Sequence, residues 1–385
     1  MNKGLNQYYT NQVYSDHLVK ELSSPFPLSV ADLGFGEGSL LHAARKRWNH
    51  LKLIGVDIDL LNVEKANKSK FIDAIHYDGF NPDLPDTITE KYGNIDLLVS
   101  NPPFFFKSID ENIRTILKKS GLWTCISVKS KKVPAELVFL AQNIRLLNKQ
   151  SELGIILPAG LVSGEKWVSL REYLFGEFNI SKVIQLPTNS FKRTDAQTFI
   201  LIMNKSEPAR TEIELSHVLY DKTISISRAD AVCRADYSFY NRTEINSDKL
   251  YISPQQFSIY RGNTTHKRLL ASAKYFIHTN QLPKEPASLR LPNYTFGQSN
   301  LATAGDILLA RVGRRCIGRV AVVERGTLPI SDCVIVIRPT DDHARKKIWE
   351  KLRSESSKQI LESMSLGVGA KYLTHSLIKD FLSNV

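Results

Sequence analysis

Asn101-Pro102-Pro103-Phe104 ends an apolar run that Asp96 opens and Leu97-Leu98-Val99-Ser100 continue. Two consecutive prolines donate no N–H to a ladder and fix their own φ, so a strand stops here on a stiff turn. The turn presents the Asn101 amide and the carbonyls that follow it, with the Phe104 ring behind them. A rigid pair of acceptors beside a flat apolar face suits the exocyclic amino group of a planar base. Alone, the stretch reads equally well as a strand running into a proline-rich turn. The rest of the chain decides between the two.

Upstream, the strand-like Ser29-Val30-Ala31 runs into Asp32 and then Gly34, Gly36 and Gly38, ahead of a helical stretch at 40–48. Glycines at such a turn let the backbone lie against a ligand and leave helix N–H groups free. The spacing is G-x-G-x-G, which departs from the G-x-G-x-x-G of pyrophosphate-binding folds. Asp32 before the first glycine favours a ligand with an ammonium group, as S-adenosyl-L-methionine has. The next strand ends on Asp57, 21 residues after Gly36, where an acid can accept both hydroxyls of a ribose. Asp59 lies past the strand tip and reads as the N-cap of helix 60–70. A third strand, 74–80, closes on Asp78 and Phe80: a carboxylate for an adenine amino group and a ring to lie against the base. Before all of these, residues 6–22 open with a polar turn and continue into an amphipathic helix with Val13, His17, Leu18 and Leu22 on one face. Tyr9 and Thr10 precede it and offer a hydroxyl and N–H groups. Four strands thus carry polar residues to one edge, where open α/β sheets bind ligands.

In this order the motifs resemble those of the γ-class amino-group DNA methyltransferases that act on adenine N6, including the modification subunits of type I restriction systems. The resemblance runs over about 200 residues. Tyr9-Thr10 is similar to the N-terminal cofactor motif, with Asn11 in place of a proline. Asp32 to Gly38 resembles the glycine loop, Asp57 the ribose acid, Asp78 and Phe80 the adenine pair, and Asn101 to Phe104 the catalytic tetrapeptide. The runs at 153–158, 183–187 and 197–202 resemble the late strands. Phe191 resembles the second aromatic against the extruded base. The resemblance implies a Rossmann-like α/β fold, S-adenosyl-L-methionine as cofactor, double-stranded DNA as substrate and no metal. The basic stretch at 107–134, with Lys118, Lys119, Lys129, Lys131 and Lys132, reads either as a solvated loop or as one that faces DNA.

Composition changes after residue 206. The expected division is a catalytic domain at 1–206, a connecting region at 207–248 and a smaller, β-rich α+β domain at 249–385. Gly305 to Gly313 and Ile317 to Val323 alternate as strands between glycine turns, and helix 341–363 follows. This half resembles the target-recognition domains of type I specificity subunits. Arg311, Arg314, Arg315 and Arg319 cluster about Gly313, where they suit phosphate or guanine.

A hydrophobic content of 42% with 23% charged residues places the chain among ordinary globular proteins. The net charge of +12 favours a polyanionic partner, and after residue 205 there are 26 Lys and Arg against 18 Asp and Glu. Cys125, Cys233, Cys316 and Cys333 show no metal or disulfide spacing. No run approaches the length of a membrane span, and a cytoplasmic monomer is expected. Any restriction endonuclease would be a separate protein. Two other readings use the same residues. One is a methyltransferase acting on RNA or on a protein glutamine. The other is a DNA-binding specificity subunit with a degenerate catalytic half.

Overall fold

The computed structural model describes residues 11–187, 190, 197–206, 211–241, 251–313, 315–366 and 371–383. The chain divides into two compact units, Met1–Tyr237 and Ser238–Val385.

The first unit alternates strand and helix. Its elements are α1 (Gln12–Lys20), β1 (Ser29–Leu33), α2 (Ser39–Arg47), β2 (Lys52–Asp57), α3 (Leu60–Ser69), β3 (Ile72–His76), α4 (Leu84–Tyr92) and β4 (Leu97–Ser100). A hairpin of β5 (Phe106–Ser108) and β6 (Lys132–Pro134) encloses α5 (Glu111–Lys119) and leads into α6 (Ala135–Leu146). Then come β7 (Glu152–Pro158), α7 (Ala159–Val162), α8 (Val168–Glu177), β8 (Asn179–Gln185), β9 (Thr198–Asn204), β10 (Glu212–His217), β11 (Tyr220–Ser227) and α9 (Arg228–Cys233), and α10 (Tyr237–Tyr240) starts on the last residue of this unit. The nine strands of the main sheet lie in the order β11-β10-β8-β9-β7-β4-β1-β2-β3. β1, β2, β3, β4 and β7 are mutually parallel, and β9 is inserted antiparallel between β7 and β8. This is the Rossmann-like α/β sheet that the sequence leads one to expect. Every residue of β1, β4 and β7 is buried, which accounts for the continuous apolar runs of these central strands. Asp96 is structural: its carboxylate accepts the N–H groups of Leu28 (2.8 Å) and Ser29 (3.0 Å), fixing the entry to β1 beside that of β4.

Three expectations for the first unit shift. Residues 212–233, expected within a connecting region, build β10, β11 and α9. β10 pairs in parallel with β8, so the first unit runs on to Tyr237. Val13 is 61% exposed, while Leu18, Val19 and Leu22 are buried, so α1 packs through a narrower face. Part of the basic stretch after Phe106 is helix rather than loop. α5 buries Ile113, Ile116 and Leu117, and Lys119 pairs with Asp86 at 3.7 Å. Lys129, Lys131 and Lys132 remain exposed.

In the second unit, β12 (Phe257–Arg261), α11 (His266–Ser272), β13 (Ala287–Asn293), β14 (Leu301–Thr303), β15 (Ile307–Ala310), β16 (Val320–Pro329) and β17 (Val334–Pro339) precede three helices. These are α12 (Asp342–Leu352), α13 (Glu355–Met364) and α14 (His375–Ser383). The strands form one six-stranded sheet. Its two-residue period sends Ile307, Leu309, Ile335 and Ile337 into one core, and Leu308, Ala310, Val334 and Val336 into another. α12 to α14 cover the first of these faces. The helix expected at 341–363 is broken, because Ser354 caps α13 by accepting the Ser357 N–H at 3.1 Å. Among the described residues no helix is long and apolar enough to cross a membrane.

Candidate active site

β4, β1, β2 and β3 are consecutive neighbours in the sheet, so the segments leaving their C-terminal ends share one edge. Asp32, paired in register with Gly55 and Val99, lies one residue before the end of β1. It is 2% exposed, and its Oδ1 has no hydrogen-bond partner. Burial, and then the charge of Asp57, pushes its carboxyl well above the usual carboxylate range. The chain then turns through Gly34 (φ +86°), Gly36 (φ +57°) and Gly38 (φ +82°), left-handed conformations that disfavour any side chain. A Cβ on Gly34 would also stand 3.2 Å from the Phe139 ring.

Asp57 closes β2 and organises this turn. Its Oδ2 accepts the Gly36 N–H at 2.7 Å and its Oδ1 the Asp59 N–H at 2.8 Å. Burial raises its pKa, and these two N–H bonds oppose the shift. Asp59 is the N-cap of α3, accepting from Leu61 N at 3.1 Å, as its position past the strand tip predicts. Asp78 is exposed, and its Oδ1 accepts the Phe80 N–H at 2.9 Å, shaping the turn that presents the Phe80 ring. That ring meets Phe139 edge-on at 5.5 Å and Phe105 at 5.9 Å, and Lys107 Nζ lies 4.7 Å from its centre.

From the buried β4 the chain emerges into Asn101, Pro102, Pro103 and Phe104. Pro102 is buried and the other three are half-buried. Phe104 packs on the core shared by α1 and α2. The Ser100 hydroxyl behind Asn101 is buried without a partner. Buried polar atoms left idle in a well-packed fold point to a ligand that would satisfy them.

α6 joins these pieces, and sequence reasoning missed its role because its apolar run reads as a core helix. The Ala135 N–H donates to the Phe105 carbonyl at 2.8 Å. Phe139 abuts Gly34 and also Gly79, where a Cβ would come within 2.5 Å of the ring. The Gln142 amide donates to the carbonyls of Gly79 (3.0 Å) and Asn81 (2.7 Å). The available signal was a set of polar residues, Glu136, Gln142, Asn143 and Arg145, inside a largely apolar helix.

In the second unit, Arg311, Arg315 and Arg319 all lie on the connection between β15 and β16. Arg315 is exposed, Arg311 lies 5.7 Å from the Tyr372 ring, and Arg319 reaches the Leu282 carbonyl at 3.4 Å. Burial, and then the charge of neighbouring Arg261, lowers the pKa of Arg311. Sequence reasoning had not placed Arg261 beside it. Tyr9, Thr10, Phe191 and Arg314 lie outside the described residues.

Residues 1–230 match the family described as N-6 DNA Methylase. The chain is 26% identical over 206 residues to the Type I restriction enzyme MpnII methylase subunit of Mycoplasma pneumoniae, covering 48% of this chain and 37% of that one. It is 21% identical over 201 residues to the Type II methyltransferase M.CvrRI of Paramecium bursaria Chlorella virus XZ-6E, covering 52% and 48%. It thus spans less than half the length of these two relatives. The solved type IIG restriction endonuclease BpuSI has a similar fold, with a TM-score of 0.53 at 14% identity over 96% of this chain and 57% of that one.

Proposed function

The chain belongs to the N-6 DNA methylase family, and from that premise we propose that it methylates the exocyclic N6 of an adenine flipped out of double-stranded DNA. The observation that carries the reading is the convergence on one sheet edge of the glycine turn, Asp57, Phe80 and Asn101 to Phe104, with Asp32 Oδ1 and Ser100 Oγ buried and idle among them. S-adenosyl-L-methionine fits these residues. The glycine turn gives close backbone approach, Asp57 suits the ribose, Asp78 and Phe80 suit the adenine, and Asp32 suits a cationic head. Bound there, the cofactor supplies an electrophilic methyl group.

The chain supplies positioning and electrostatics. Adenine N6 is a poor nucleophile because its lone pair is delocalised into the ring. Acceptors from Asn101 and the Pro102 carbonyl bind its two hydrogens and favour a tetrahedral nitrogen, while Pro103 stiffens the turn. Phe104 and Phe191 hold the extruded base by stacking. Residues from about 249 onward act as the target-recognition domain, with Arg311, Arg314, Arg315 and Arg319 toward DNA. We assign the protein to a restriction–modification or related defence system, as a monomer, with any endonuclease separate.

The test is expression in a bacterium lacking adenine methylation, followed by single-molecule sequencing of its DNA. N6-methyladenine at one motif supports the reading; an unmarked genome from folded protein refutes it.

The raised carboxylates make a further prediction. A group whose folded pKa is raised by burial contributes stability below its unfolded pKa, and that stability is lost as pH rises through the folded value. Asp32 and Asp57 are such groups. A cationic ligand favours their charged forms, so cofactor binding should release protons and tighten as pH rises from about 4 toward neutrality. Calorimetric titrations in buffers of different ionisation enthalpy measure this directly. A pH-independent Kd with no proton release would contradict it.

A further inference from the structure

One buried carboxyl on the same helix has no role in the account above. Glu136, at the second position of α6, is 6% exposed, and its Oε2 has no hydrogen-bond partner. Its place is fixed from two sides. Immediately before it, the Ala135 N–H is bonded to the Phe105 carbonyl, one residue past the tetrapeptide, and Pro134 pairs with Phe106 in the hairpin. Three residues after it, Phe139 lies against Gly34 and Gly79. Residues three apart share a helix face, and long helical side chains lean toward the helix N-terminus. Glu136 therefore sits on α6 between the helix's contact with the catalytic turn and its contact with the glycine turn.

Burial of a carboxyl with an idle oxygen is unfavourable, so the group calls for a partner that completes it. The first turn of α6 favours an anion but gives Oε2 no partner. Burial raises the pKa of Glu136 to about 7, so near neutrality the group is poised to ionise when a donor arrives.

We propose that Glu136 is a positioning residue that accepts a hydrogen bond from an amino group carried by a ligand of this site. The inference rests on the methyltransferase reading above, under which two ligands carry such a group: the cofactor through its ammonium and the target adenine through its exocyclic nitrogen. Their shared chemistry is an N–H donor, and the experiment separates them.

Glu136→Gln keeps an acceptor oxygen, and Glu136→Met keeps similar volume without one. Wild type and both variants are titrated with S-adenosyl-L-methionine and with an analogue lacking the α-amino group. They are also titrated with duplexes carrying adenine or unsubstituted purine at the methylated position. For one of the two ligands, Glu136→Met should weaken binding about tenfold or more, and Glu136→Gln should weaken it less. The analogue without the amino group should bind all three proteins alike. A purely structural role would not distinguish a ligand from its deaminated analogue. If Glu136→Met does not fold, Glu136→Gln carries the test through the same comparison. Wild-type affinities for both ligands in the folded variants would overturn this inference alone. A wild-type protein that binds neither ligand would overturn the underlying reading as well.

Discussion

Replacing Asn101 with alanine should lower the rate of methyl transfer by about 10²- to 10³-fold or more, while cofactor affinity stays at its wild-type value. The size follows from what the side chain is proposed to do. Its carbonyl holds one N6 hydrogen in the geometry the nitrogen adopts only as it attacks, so its loss acts on the transition state far more than on binding. The fold should tolerate the change. Asn101 follows the last residue of β4 and is half-buried, and the neighbouring Pro102 and Pro103 keep the turn stiff without it. Single-turnover transfer to a duplex carrying the methylated motif measures the rate, and calorimetry measures the affinity. A variant rate within threefold of wild type would remove Asn101 from the chemistry. A parallel loss of cofactor binding would recast it as a binding residue.

Asp57→Ala should weaken cofactor binding by about 100-fold with a smaller effect on stability. Two N–H groups, those of Gly36 at 2.7 Å and Asp59 at 2.8 Å, lose a charged acceptor. Hydrogen bonds to charged groups contribute about 1.5–3 kcal/mol each, and about 2.7 kcal/mol corresponds to a factor of 100 in Kd. Gly36 stands in the left-handed region of a turn that the Gly38 N–H also closes by donating to the Phe35 carbonyl at 2.8 Å, so releasing the Gly36 N–H loosens the turn without abolishing it. The ribose acceptor is lost as well. Stability moves less because the carboxyl is itself unfavourably buried, as its raised pKa records, and its removal offsets part of the lost bonding. Asp57→Asn preserves shape and one acceptor and should fall between. Wild-type affinity in the alanine variant would show that the glycine turn holds itself.

How much of this could be read without coordinates depends on the range of the interactions. Local chemistry marks the glycine turn, the acid at the tip of β2, the Asp59 cap and the Asn-Pro-Pro stop. Each arises from φ restriction or from a side chain bonding backbone a residue or two away, as Asp59 does with Leu61 and Asp78 with Phe80. The order of these marks along alternating strands and helices implied a Rossmann-like sheet, and the sheet is as implied. Features that depend on partners distant in the chain stayed hidden. An alternating pattern at 212–227 does not say that β10 will pair with β8 and extend the first unit. A helical period across 341–363 does not reveal the cap at Ser354 that breaks it.

The sequence by itself marked the candidate residues and the one sheet edge that would gather them, because strand polarity and right-handed crossovers leave little freedom. Only the tertiary structure decided how that edge is braced. Phe139 lies 105 residues from the Gly34 it abuts and Gln142 63 residues from the Gly79 carbonyl it binds, both within a largely apolar run that propensity assigns to the core. Which face of a buried helix meets the core and which meets a ligand is set by packing, and packing is a property of the assembled fold.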